Sequence, residues 1–276
     1  MIIDTHIHLS SYTGKGTNLN ETLQILLNEM KQNGINYGIV IPDSIIGDPH
    51  ISDLQTTAEL IKKTDKLFML GSPQIIKKGS REVGMYEEQL KQGKIRGLKF
   101  FPGHEPYNVA DERCMPYYEV LQDTEYPIVI HTGEHSSDPN IHDPMKYNDP
   151  KYAIEIAKRF PKLMVVITHY FWPKLDYCYE ITKDVPNIFF ELAGCADDGV
   201  LQASGGIGKM KKVLLKTIHD RPKQVFYGTD WPLCDSATES GFKKHIDLVI
   251  SLKLDKATEE LVFYKNAIRI YKLNIH

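Results

Sequence analysis

The sequence predicts an α/β chain closed into a (β/α)8 barrel of the TIM type. Three observations carry this expectation: eight short apolar runs too compact for helices, amphipathic stretches between most of them, and no linker or low-complexity tract across 276 residues. A single barrel takes about 250 residues, so 1–276 reads as one domain. A doubly wound sheet of eight strands is the runner-up. No internal repeat is evident, so the barrel rests on the element order and on the site residues below.

The apolar runs are MIIDTHI (1–7), YGIVIP (37–42), LFMLGS (67–72), IRGLKFF (95–101), PIVIH (127–131), LMVVITH (163–169), IFFELAG (188–194) and QVFYGTD (224–230). Between them, Asn20 reads as the cap of a helix whose Leu23, Leu26, Leu27 and Met30 form one stripe, with Gly34 as its stop. Ser52 and Gln55 resemble a capping box ahead of Leu54, Ala58 and Ile61. Asp149 followed by Pro150 opens a helix presenting Ala153, Ile154, Ala157 and Phe160, and Asp255 starts a last helix running to about Leu273. The stretches after strands 4 and 5, Pro102 to Ala110 and Thr132 to Asn148, are long and rich in Pro, Gly, Asp and His. In a barrel both would sit on the C-terminal face, where substrates bind.

Composition narrows the function. With 42% hydrophobic residues, 25% charged residues and a formal net charge of −3, the chain lacks the basic excess of a nucleic-acid or membrane-surface binder. No run approaches the ~20 apolar residues of a membrane span. The opening MIIDTHIHLS has neither a basic region nor an apolar stretch of signal-peptide length, which gives a cytoplasmic expectation. Cys114, Cys178, Cys195 and Cys234 are too dispersed for a zinc ribbon or redox pair, and read as reduced core thiols.

The chemistry-bearing residues sit at strand ends. His6 and His8 are two apart on strand 1, so both point to one side, and paired imidazoles chelate metals. Such a pair alone is a weak signal. Lys99 in strand 4, His131 closing strand 5, His169 closing strand 6 and Asp230 closing strand 8 converge with it on the same mouth. Singly, each has a bland reading: satisfied interior histidines, a snorkelling lysine, a capping aspartate. Jointly they would bury several charges without a partner unless a metal is held there. Imidazoles with one carboxylate suit Zn²⁺, with Mn²⁺, Fe²⁺ or Co²⁺ as alternatives.

These segments resemble the amidohydrolase superfamily, in its amidohydrolase-2 branch of metal-dependent hydrolases, related to aminocarboxymuconate semialdehyde decarboxylase. The resemblance spans the chain through IIDTHIH, RGLKFFP, PIVIHTG, VVITHYFWP, FYGTDWP and the closing NAIRIYKL. It implies a metal held by His6, His8, His131 and Asp230, one ion rather than two, with His169 ligating a second metal or orienting and deprotonating the attacking water. Asp230 would handle that water's proton. Lys99 would either bridge two metals as a carbamate or serve substrate charge and strand-end packing. The family often has a histidine after the strand-4 lysine, whereas Phe100 and Phe101 stand here. His104, an exposed loop histidine by sequence, would be the substitute.

The resulting expectation is a metal-activated water attacking an amide, lactone or ester carbonyl of a small polar or carboxylated substrate, with His169 helping to stabilise the oxyanion. The alternative is a metal-dependent decarboxylase acting on a small unsaturated or aromatic carboxylate. Tyr12, His104, Tyr107, Glu134, His135, Tyr170, Trp172, Trp231 and Asp235 are the candidate mouth residues, of which His104, Tyr107, Trp172 and Trp231 are the foremost substrate contacts. Cys195, Asp197 and Asp198 follow strand 7, with Cys195 read as a buried thiol rather than a nucleophile. A homodimer is what the family resemblance suggests.

Overall fold

A computed structural model describes residues 1–11, 14–43, 48–236 and 239–275. All eight predicted strands form: β1 (Ile3–Ile7), β2 (Tyr37–Val40), β3 (Leu67–Met69), β4 (Leu98–Phe100), β5 (Ile128–Ile130), β6 (Val165–Thr168), β7 (Ile188–Glu191) and β8 (Val225–Phe226). Every pairing is parallel, in the order β1-β2-β3 and β4-β5-β6-β7-β8. Two parallel bridges join these arcs, Gly71 to Leu98 and Ile7 to Trp231. Backbone bonds cross both seams: Lys99 N–H donates to Gly71 O at 2.7 Å and His8 N–H to Trp231 O at 2.7 Å. Strictly sequential order around a closed ring leaves no point where strand order reverses, which excludes the doubly wound alternative.

Helices cover the outside for the reasons the sequence offers, with local corrections. The first helix, Leu19–Gln32, is capped by Asn18 rather than Asn20, because Asn18 Oδ1 accepts from the amides of Asn20 and Glu21, both at 3.1 Å. The second, Leu54–Ile61, is capped by Asp53, which accepts from Thr56 N at 2.8 Å. Ser52 instead bonds the Thr57 hydroxyl at 2.8 Å, so Thr57 and Leu60 carry the buried face. Asp149 and Asp255 cap the helices beginning at Pro150 and Lys256 as predicted.

Two apolar layers result. The outer one lies between strands and helices and includes Ile7, Leu23, Leu26, Leu98, Ile130 and Phe190. The inner one fills the barrel with Ile3, Ile39, Val129, Val166, Phe189 and Phe226, and is sealed by Ala267, Ile270, Tyr271 and Leu273 of the C-terminal segment. Among the described residues no helix is long and apolar enough to cross a membrane.

Candidate metal centre at the barrel mouth

Strand 1 is irregular where it matters. Its register against β2 shifts between Asp4 and Ile7, and the adjacent residues Thr5 and His6 both reach Glu191 on β7. Such irregularities re-aim side chains beside functional sites. His6 Nδ1 contacts the Glu191 carboxylate, and its Nε2 lies 3.2 Å from His8 Nε2. Asp230 is brought to the same point by its backbone, whose N–H donates to His6 O at 2.9 Å while the residue adopts the left-handed region at φ 72°. Its Oδ1 lies 3.3 Å from both imidazole Nε2 atoms.

These separations test the fit to a cation. Ligand atoms at 2.0–2.1 Å from a tetrahedral Zn²⁺ stand about 3.3 Å apart, which is the edge of the triangle that His6, His8 and Asp230 form. A second triangle shares two of its corners: ligand atoms of His6, His169 and Asp230 all lie within 4.8 Å of one another. His169, also left-handed at φ 59°, has Nδ1 3.0 Å from Ala193 O. A carbonyl only accepts, so this nitrogen carries the proton and Nε2 is a bare lone pair. Gly194 makes room for that ring, since a Cβ there would come within 3.1 Å of His169 Nδ1.

Electrostatics favour lone pairs over protons. Burial pushes His169 down to about 3 and holds His6 and His131 well below the ordinary imidazole value. His8 is the exception: burial opposes its protonation, but Asp43, with Oδ2 3.7 Å from Nδ1, and Asp230 lift it to about 9. Burial likewise opposes ionisation of Asp230, yet positive charge on the facing imidazoles, which His8 carries, holds it well below the carboxylate range. Lys99 is fully buried with no hydrogen-bond partner for Nζ among the described residues, and burial depresses it to about 8.

A cavity of about 660 Å³ opens over this cluster, and His6, His8, Asp43, Lys77, Lys99, His104, Glu105, His131, His169 and Asp230 are among its walls. A smaller one of about 340 Å³ adjoins it through His131, His135, His169, Asp230 and Leu233, and reaches Trp172 and Val200. Of the predicted ligands, His131 stands against His169, their ring centroids 4.9 Å apart, with its Nε2 3.1 Å from His104 Nε2 and 3.2 Å from His135 O. The Ser137 amide donates to His104 Nδ1 at 3.0 Å, which places the neutral ring's proton on Nε2, facing His131.

A family model described as an amidohydrolase matches residues 3–273. The chain belongs to the amidohydrolase family. An L-rhamnono-gamma-lactonase of Scheffersomyces stipitis is 21% identical over 150 residues, 45% of either chain, so this amidohydrolase spans under half the length of that curated relative. A TIM-barrel protein from Bordetella bronchiseptica superposes with TM-score 0.75 at 19% identity, covering 98% of this chain and 97% of the other. The 5-carboxyvanillate decarboxylase of Novosphingobium aromaticivorans, complexed with manganese and a nitrobenzoic acid, gives 0.66 at 13% identity and covers 99% and 96%. Both structural likenesses bear on the barrel fold, and the family is metal-dependent.

Several expected mouth residues lie elsewhere. Tyr107 is core: its hydroxyl accepts from Phe101 N–H at 3.1 Å and its ring meets Phe100 edge-on. Trp231 points into the helix layer, donating Nε1–H to Glu29 at 2.9 Å and stacking on Phe242. Tyr170 stacks on Phe190, Asp235 pairs with Lys15 at 2.6 Å, and exposed Glu134 is on neither cavity wall. Tyr12 lies outside the described residues. His104 corrects the other way: it is half-buried, its ring against Phe101 and His131, and lines the larger cavity. Trp172, His135 and Asp197 line the smaller one, while Asp198 pairs with Lys244 at 2.9 Å. All four cysteines are free and buried, with burial pushing the Cys195 thiol up to about 12.

Sequence reasoning missed three acids. Asp4 and Glu191 are wholly buried, and Asp43 stands at the cavity wall beside His8. Asp4 accepts from His6 N at 2.9 Å, Thr229 N at 3.1 Å and Thr229 Oγ1 at 2.5 Å, tying β1 to the segment after β8. The signal for Glu191 was available as an acidic residue inside the otherwise apolar run IFFELAG.

Proposed function

We propose that this amidohydrolase is a metal-dependent hydrolase that opens a lactone, amide or ester carbonyl of a small polar or carboxylated substrate. The observation that carries the reading is the meeting of His6 Nε2, His8 Nε2 and Asp230 Oδ1 at ligand spacing under a cavity large enough for a small molecule. These three residues would hold one divalent cation, with His169 and His131 as the nearby imidazoles. Zn²⁺ best suits the donors, and Mn²⁺ is the alternative. Such a cation lowers the pKa of a water and polarises a carbonyl oxygen.

The chain's own groups supply the proton handling. Asp230, held ionised among three imidazoles, accepts a proton from the attacking water and returns it to the leaving group. His169, with Nδ1–H committed to Ala193 O, offers Nε2 as an acceptor or ligand. That favours orienting the water over donating to an oxyanion. Lys99 supplies positive charge to the cavity floor. Residues 1–276 form a single TIM-barrel domain in this reading.

A screen of lactones, amides, esters and unsaturated or aromatic carboxylates, run with Zn²⁺ and with Mn²⁺ while CO₂ is monitored, tests it. Hydrolysis without CO₂ is the expected result. CO₂ release from a carboxylate selects the decarboxylase reading, to which the fold of the vanillate-type neighbour lends support. Protein that contains no metal and gains no activity from either ion overturns both.

A further inference from the structure

We propose that Glu191 is the positioning residue for the metal centre, acting through His6; this rests on the metal reading above. Glu191 ends β7, where all four residues are buried, and its own exposure is 0%. It lines neither cavity, so it does not meet substrate directly. A carboxylate taken out of water is destabilising unless its partners answer it. Its partners here are His6 Nδ1 and the Thr5 hydroxyl, which also lies 2.8 Å from Tyr227 O.

The pairing sets the ring's orientation. Glu191 meets His6 at Nδ1, which leaves Nε2 as the nitrogen facing His8 Nε2 and Asp230 Oδ1, and a ligand bound at Nε2 would put the ring's proton on Nδ1, toward the carboxylate. His169, by contrast, spends its Nδ1–H on a neutral carbonyl.

The surrounding backbone is shaped for this carboxylate. A Cβ on Gly228 would fall 2.9 Å from Glu191 Cγ, 3.2 Å from its Cδ and 3.1 Å from Thr5 Oγ1. The irregular register of β1 is what lets Thr5 and His6, neighbours in sequence, reach the same carboxylate.

The test uses full-length protein stripped of metal. Zn²⁺ affinity is measured against a competing chelator for wild type, Glu191→Gln and Glu191→Leu, and the His6 tautomer is read from ¹⁵N shifts of the metal-free proteins. Leu should weaken Zn²⁺ binding by about 10- to 100-fold and release the His6 tautomer, while Gln, keeping shape but not charge, should cost about 10-fold. Gly228→Ala should move affinity in the same direction by crowding the carboxylate. Wild-type affinity in the Gln variant overturns the inference and leaves the metal reading standing, and so does a His6 proton on Nε2 in the metal-free wild type. Wild-type protein that takes up no Zn²⁺ overturns the metal reading itself. Should the Leu variant fail to fold, the near-isosteric Gln variant decides the matter alone.

Discussion

The two sides of the barrel mouth are built differently. On the β1, β7 and β8 side, every site group is anchored by strand backbone and buried acids: Asp4 ties His6 to Thr229, Glu191 holds His6, and the His8 and Asp230 amides donate to Trp231 and His6 carbonyls. On the β4 and β5 side, Lys99 and His131 are buried strand-end groups, but His104, Glu105, His135 and Ser137 come from loops and meet water at the rim. Rigid elements hold reacting groups in place better than loops do, whereas loops vary without loss of the scaffold. On the proposed reading, metal retention would fall to the first side and substrate choice to the second.

The comparison breaks most readily at its rigid side. His8→Ala should lower metal affinity by about 100-fold, and Asp230→Asn should cut turnover by about 10³-fold while keeping part of the metal, read by elemental analysis and steady-state kinetics. Full activity in either refutes the division. Next comes stability: Asp4→Ala strands two buried amides and a hydroxyl, and should cost about 3 kcal/mol in denaturant unfolding.

The loop side should respond in substrate terms. His104→Ala is expected to raise KM by about 10-fold with metal content unchanged, and loss of metal in that variant would erase the boundary between the two sides. The smallest effect belongs to Glu105, half-buried with Oε2 lacking a partner among the described residues and pushed up to about 7 by burial. A carboxyl raised in the folded state contributes stability below its unfolded value near 4.5 that is lost as pH rises through 7. Glu105→Gln should therefore gain on wild type by about 1 kcal/mol or less between pH 4 and pH 8 in urea melts, and an unchanged difference would remove Glu105 from the titrating groups.

The rigid side was also the more legible in sequence. His6, His8, His169 and Asp230 announce themselves because titratable residues at the ends of apolar runs violate the pattern around them. Asp4 and Glu191 violate it too, but they lie within runs, where a buried acid is told from a surface one only by its partner across the barrel. Tyr107, Tyr170 and Trp231 show the opposite failure: proximity to the mouth in sequence does not fix the direction of a large ring, and each turns into the helix layer where it buries more apolar surface. Helix caps slipped by one or two residues wherever Asn, Ser and Asp compete, as at Asn18 against Asn20 and Asp53 against Ser52.

The packed barrel interior, sealed by Ile270, Tyr271 and Leu273, leaves the mouth as the side on which the two cavities open. Traffic is then two-way through a single rim: a product departs along the route by which the next substrate arrives, and the two compete for it. Among the described residues, the loops after β1, β2, β3, β4, β5 and β8 all wall the larger cavity, and any group fixed across them would slow arrival and departure alike.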